Sequence, residues 1–295
     1  MSGRYLSPTI DLVFKKLFGT VANKDLTISL LNGILNLPKG KLIVELTHND
    51  PSNHLEMMQQ KHSIVDVRCT DECGHKYIIE MQNDDYHNFA QRAQYYGSCG
   101  LSSQLKVAEE YGVLLPVIFV GIVSFSLFPR HKRYITNHVI LDKEDLCCDL
   151  DLTTFHFIEL PKFKKKENQL ETLVDKWIYF IKYASEMKKV PEELKTSKTF
   201  THAFQVLTQS AWTEQEMALY QAQVDARRVE VGVLETAERK GEMKGREEGR
   251  KEGREEGREE ALFAIARNML AKKMGIEDIA QVTGLDVVAI KKLKN

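Results

Sequence analysis

With 295 residues and 43 % hydrophobic side chains, the chain has the material for one sizeable core and an appendage. A formal charge of −1 excludes binding of nucleic acid through overall charge, so any basic surface must be local. Five cysteines without a CxxC pair, a start without an apolar signal stretch, and a longest apolar run (Leu114 to Phe128) short of the ~20 residues that span a bilayer predict a soluble protein of a reducing cytoplasm.

In chain order, 9–36 carries apolar residues at helical spacing, Leu12, Val13, Leu17 and Phe18 and then Leu26, Leu30, Leu31 and Leu35, with a break expected near Gly19. KLIVEL at 41–46 predicts a first strand, and 63–70 and 76–82 predict two more. Helical spacing returns over 89–111, after which Pro116 opens a buried strand at 117–123. Weaker strands are expected near 134–141 and 154–159, then a helix over 168–188 around Trp177 and helical pattern over 200–238. Composition changes at 241–260, where Gly recurs every fourth residue, and 261–295 returns to amphipathic helix patterning. Three regions follow: 1–240, 241–260 and 261–295.

The segment SIVDVRCTDECGHKYIIEMQ, 63–82, reads as a hairpin turning around 71–75. Symmetry about position 73 places residue i opposite 146 − i, so Asp66 meets Glu80. Directly opposed side chains have Cβ atoms about 4.5–5.5 Å apart, near enough for two carboxylates to share a divalent cation. Alternation puts Gln82 on the face of Glu80 and Arg68 on that of Asp66, while Val65, Val67, Ile79 and Met81 face a core. An exposed hairpin can carry two acids with no function. Here IVDV and IIEM set both acids in apolar, β-rich surroundings, where unpaired carboxylates are costly without a cation or proton. Mg²⁺ suits such a pair, with Mn²⁺ or Ca²⁺ as alternatives, and its chemistry is phosphodiester hydrolysis.

At these residues the chain resembles the recombination-promoting nuclease and transposase family of the PD-(D/E)XK nuclease superfamily. The likeness runs through DLVFKKLF (11–18), IVDV, IIEMQ, FAQRAQYYGS (89–98) and LLPVIFVGIVSFSLF (114–128), and in ordering covers roughly residues 5–240. It implies an α/β fold with a restriction-endonuclease-like αβββαβ core, a mixed sheet flanked by helices, and a C-terminal helical extension. It also implies Asp66 and Glu80 as metal ligands, with the Met81 carbonyl as a third. Gln82 stands where the superfamily usually has lysine; an amide can orient a water but cannot act as a base. Asp11, one helical turn before Lys15, is either a further acid of the site or an N-terminal helix acid paired with a lysine. Arg92 either meets phosphate or pairs with an acid.

Further phosphate contacts are expected from Lys15 and from two basic clusters, Arg130, Lys132 and Arg133, and Lys164, Lys165 and Lys166, although solvated loops explain such clusters equally well. Cys69, Cys73 and His75 lie close in sequence but lack a second ligand pair, which favours ordinary buried or turn residues over zinc. On a helix, 241–260 forms winding Gly, Arg (246, 250, 254, 258) and Glu (248, 252, 256, 260) stripes, which fits either self-association to a homo-oligomer or a charged linker. Ala280, Gly284 and Ile290 sit at helix-turn-helix spacing, in either a DNA-contacting tail or a small docking bundle. The sequence thus predicts a Mg²⁺-dependent DNA endonuclease with no nucleotide cofactor and no membrane span. The alternative is a catalytically inactive DNA-binding or oligomerising protein that retains the nuclease fold.

Overall fold

The computed structural model describes residues 4–49, 67–84 and 88–293, and the chain divides into two compact units, Met1–Val224 and Asp225–Asn295. The first unit is built on a six-stranded mixed sheet in the order β1-β2-β3-β4-β6-β5. Its strands are β1 Leu46–His48, β2 Val67–Asp71, β3 Lys76–Gln82, β4 Val117–Val123, β5 Ile135–Ile140 and β6 Leu150–Glu159. Strands β3, β4 and β6 run parallel, with Gln82 beside Val123 and Val123 beside Glu159, so their C-terminal ends share one edge of the sheet. The connections leaving that edge begin at positions 83, 124 and 160.

One face of the sheet is covered by α1 (Asp11–Phe18), α2 (Lys24–Leu35), α4 (Leu173–Tyr183) and α6 (Lys198–Leu207). Gly19 ends α1, as the sequence predicts, and Asn36 in the left-handed region (φ 49°) ends α2. Tyr77, Ile79 and Met81 of β3 and Val120 and Ile122 of β4 join this larger core, where Trp177 is fully buried. The short helix α5 (Glu192–Lys195) precedes α6. The opposite face is covered by α3 (Phe89–Ser102), packed on Ile78, Val117, Phe119 and Phe157. Small residues let this helix lie close. A Cβ at Gly97 would come 3.1 Å from Phe155, and one at Gly100 would come 3.1 Å from Val117 and 3.2 Å from Ile78.

Three predicted elements are corrected. KLIVEL is not a strand over 41–45: Ile43 exchanges both backbone groups with the Asn32 side chain at 2.9 Å, and the amides of Val44 and Glu45 go to the Glu72 carboxylate at 3.2 Å. Side chains satisfy this backbone, and ladder pairing starts at Leu46. The helix after the hairpin stops at Ser102 rather than Tyr111, because Gln104 binds both backbone groups of Leu115 (3.1 and 2.8 Å) and closes a loop instead. Strand β6 begins at Leu150, well before 154.

A single helix, α7 (Glu214–Ala271), contains the whole Gly/Arg/Glu repeat. Its first turns belong to the first unit, where Glu216 pairs with Lys16 at 2.8 Å and Gln223 accepts the Leu12 amide at 3.1 Å. In the second unit its C-terminal end packs with α8 (Ile276–Thr283) and α9 (Val287–Leu293) around Ala266, Ile279 and Ile290. Gly284, at φ 71°, makes the turn between the last two helices. Among the described residues no helix is long and apolar enough to cross a membrane.

Candidate active site

Strands β2 and β3 pair Val67 with Ile79, Arg68 with Ile78, Cys69 with Tyr77 and Thr70 with Lys76. Each pair sums to 146, the register that a turn centred on position 73 dictates. Asp71 locks that turn: its Oδ1 accepts the amides of Cys73 and His75 at 2.9 Å, and its Oδ2 meets His75 Nδ1 at 2.9 Å and the Tyr77 hydroxyl at 2.8 Å. Gly74 supplies the positive φ of 85°. Asp71, Cys73 and His75 bring potential ligand atoms within 4.8 Å of one another, but both oxygens of Asp71 already serve the turn. Cys69 is buried, and burial pushes its thiol pKa up, away from a metal-binding thiolate.

Glu80 follows on the face that α3 covers. It is 4 % exposed, and burial raises its carboxyl above the ordinary range while Arg92 pulls the other way. Arg92, from the first turns of α3, donates from Nη2 to Glu80 Oε1 and to Gln82 Oε1, the latter at 2.7 Å. Gln82 in turn donates from Nε2 to the Asp84 carbonyl at 3.2 Å. The guanidinium rests over the Phe89 ring, 5.2 Å from its centroid. Gly121, beside Glu80 on β4, leaves room for that ring: a Cβ there would lie 3.0 Å from Phe89 and 2.9 Å from Phe157. Among the described residues Glu80 Oε2 and Arg92 Nε are buried with no hydrogen-bond partner. A buried carboxylate oxygen without a donor is costly, and is the kind of feature a bound ion explains.

The sequence profile of the PD-(D/E)XK nuclease family transposases matches residues 8–237. The chain belongs to that family. No curated protein and no solved structure matches it. PD-(D/E)XK nucleases generally use divalent metal ions, and the residues present fit one: Glu80 offers an oxygen, the ligand type hard cations take, with no donor competing for it among the described residues.

Within this PD-(D/E)XK domain the structure brings Glu80, Gln82 and Arg92 together. Asp66, expected opposite Glu80, lies outside the described residues. Met81 points its side chain into the larger core on the other face of β3. Asp11 opens α1 and pairs with Lys15 at 2.9 Å, and no described contact joins it to Glu80; the N-terminal segment reaches the end of β3 through Asn83, which donates to the Thr9 carbonyl. Lys15, expected to contact phosphate, is 8 % exposed and pairs with Asp11. Arg92 pairs with an acid, one of the two partners considered for it. Gln82, expected to orient a water, accepts a hydrogen bond from Arg92 on its side-chain oxygen.

Arg130, Lys132 and Arg133 are exposed on the connection leaving β4, and Lys164 and Lys166 are exposed on the one leaving β6. Lys165 is held by the buried carboxylate of Asp175 at 2.8 Å and is thereby a structural cation. Both connections start at the sheet edge that carries Gln82, and Lys162 joins them by donating to the Phe128 carbonyl at 2.6 Å. Sequence reasoning missed two residues here. Tyr96, one helical turn after Arg92, has its phenol pKa raised by burial and by the nearby Glu80 charge. Asn83 ties the strand end to Thr9 and to Ser124, the latter at 3.0 Å. Their signal was position alone: one sits a turn beyond Arg92, the other directly after IIEMQ.

Proposed function

We propose that this chain is a divalent-metal-dependent DNA endonuclease, acting in recombination, transposition or defence against foreign DNA, with Glu80 and Asp66 holding the ion. The observation that carries this reading is Glu80 Oε2, a buried carboxylate oxygen with no donor among the described residues, in a family of nucleases. Mg²⁺ suits the oxygen donors, with Mn²⁺ or Ca²⁺ as substitutes. When bound, such an ion lowers the pKa of a coordinated water and offsets phosphate charge. The chain's own residues do the rest. Gln82 and Phe89 fix the direction of Arg92, Asn83 anchors the strand end, and Asp11 belongs to the same matched block of the chain. Arg130, Lys132, Arg133, Lys164 and Lys166, on connections from one sheet edge, are the side chains expected to hold the duplex backbone.

The partner reading extends to a second copy of the chain. Along 241–260 the surface is exposed and a Cβ at any repeat glycine would meet nothing within 4 Å, so a second helix could approach closely and set Glu against Arg stripes. Sedimentation of the full chain with Arg246, Arg250, Arg254 and Arg258 all changed to Glu tests this: dissociation is expected, and an unchanged mass contradicts it.

A second reading has two observations in its favour. Gln82 replaces the usual lysine and Arg92 already occupies Glu80, as in a protein that has kept the fold for DNA binding without cleavage. Supercoiled plasmid incubated with Mg²⁺, Mn²⁺ or no metal separates the readings. Metal-dependent nicking or linearisation is expected; binding without cleavage in either metal favours the inactive protein.

A further inference from the structure

Arg92 occupies one oxygen of Glu80, while the other oxygen and Arg92's own Nε are buried with no partner among the described residues. Its side chain is 33 % exposed, and its guanidinium pairs with Glu80 and rests over Phe89. A guanidinium keeps its charge at any working pH, presents donors in a planar fork, and matches phosphate oxygens as well as carboxylates. A divalent cation and a guanidinium on one carboxylate repel, so the two compete for Glu80. Gln82 gives Arg92 a second acceptor, 2.7 Å away and uncharged, which remains when Glu80 is taken.

We propose that Arg92 is an exchangeable cation of the cleavage site: it neutralises Glu80 until a divalent ion does so, and then, held by Gln82 and Phe89, turns to the phosphate being cleaved. This rests on the nuclease reading and adds to it an order of events and a phosphate-binding residue. In it Gln82 positions a cation rather than a water. The helix α3 delivers the charge because Gly100 lets it sit close on β3 and β4 and Gly97 on β6.

The test combines two readouts on the full chain. Calorimetric titration of Mn²⁺ without DNA is expected to show at least roughly tenfold tighter binding to Arg92→Ala than to wild type, because a competing charge is gone. Plasmid cleavage by the same variant is expected to fall at least ~100-fold in kcat/KM, the scale of losing one charged donor to the transition state. A residue that only supports the fold would not move these quantities in opposite directions. Arg92→Lys keeps the charge but not the fork, and is expected to bind Mn²⁺ within a few-fold of wild type while cleaving more slowly. It also serves if Arg92→Ala fails to fold, since equal cleavage by Arg92→Lys and wild type would overturn the phosphate role. Gln82→Lys combined with Arg92→Ala is expected to recover at least about tenfold of the lost rate, by returning a cation to the same face. Unchanged Mn²⁺ affinity in Arg92→Ala overturns the exchange, and unchanged cleavage overturns the phosphate contact. If wild type itself neither binds Mn²⁺ nor cleaves, the nuclease reading fails and this inference falls with it.

Discussion

Glu80 and Asp175 are both buried carboxylates beside a basic side chain, yet among the described residues only Asp175 has partners on both oxygens. Asp175 Oδ1 accepts the Tyr134 hydroxyl at 2.6 Å, and its Oδ2 accepts Lys165 at 2.8 Å and the Thr172 amide at 3.1 Å. Burial raises its pKa, but bonds from Lys165, Tyr134 and Thr172 outweigh that and hold the carboxyl below its ordinary range. At Glu80 burial wins over Arg92, the carboxyl sits above its ordinary range, and one oxygen has no donor among the described residues. A buried acid with a cation nearby is therefore not in itself a site. What distinguishes Glu80 from Asp175 is a buried carboxylate oxygen with no donor among the described residues, a feature that a bound ion would explain.

Several substitutions sharpen or break this contrast, taken here from the largest effect downward. Asp175→Ala strands the Lys165 ammonium and the Tyr134 hydroxyl and is expected to cost about 3–5 kcal/mol in urea unfolding, while the folded fraction retains cleavage. Equal loss of cleavage in the folded fraction would erase the distinction between structural and functional acids. Gly121→Ala pushes a methyl into Phe89 and Phe157 and is expected to cost about 1–3 kcal/mol, and it disturbs the ring beneath Arg92 without touching Asp175. Cleavage per folded molecule should fall in this variant, read from single-turnover rates.

Smaller effects concern pH and charge. Because the folded Asp175 pKa lies below the unfolded one, its stabilisation is complete above the ordinary Asp value near 4 and is lost as pH falls through the folded value. Melting temperatures between pH 5 and 3 should drop less steeply in Asp175→Asn than in wild type, and parallel curves would contradict that assignment. Glu80 has the opposite sign: burial of its ionised form disfavours the fold, so Glu80→Gln is expected to raise the melting temperature at pH 7 in metal-free buffer. Last in size, Lys164→Ala with Lys166→Ala should reduce the slope of log DNA affinity against log salt by roughly 2, with no change in stability.

The same contrast explains what was legible in the sequence. The register of β2 and β3 was, because Asp71 and Gly74 write the turn locally and everything else follows by alternation. Glu80 stood out as an acid within a β-branched run. Its bond to Arg92 was only one of two alternatives, since it depends on how closely α3 packs on strands distant in the chain. Lys165 reads in sequence like its phosphate-facing neighbours because a basic cluster looks the same whether or not Asp175 lies across the fold. KLIVEL misled for a related reason: its backbone is satisfied by Asn32 and Glu72, partners that hydrophobic pattern does not reveal.

The central claim, that the unpartnered oxygen of Glu80 is there for a metal ion in a DNA-cleaving site, is tested most directly by plasmid cleavage with wild type and Glu80→Ala across a Mg²⁺ titration. Wild type is expected to cut only with metal, and folded Glu80→Ala to be slower by at least roughly a thousandfold at every Mg²⁺ concentration. Cleavage by Glu80→Ala at the wild-type rate, or wild-type cleavage that ignores added metal and chelator alike, would contradict the account.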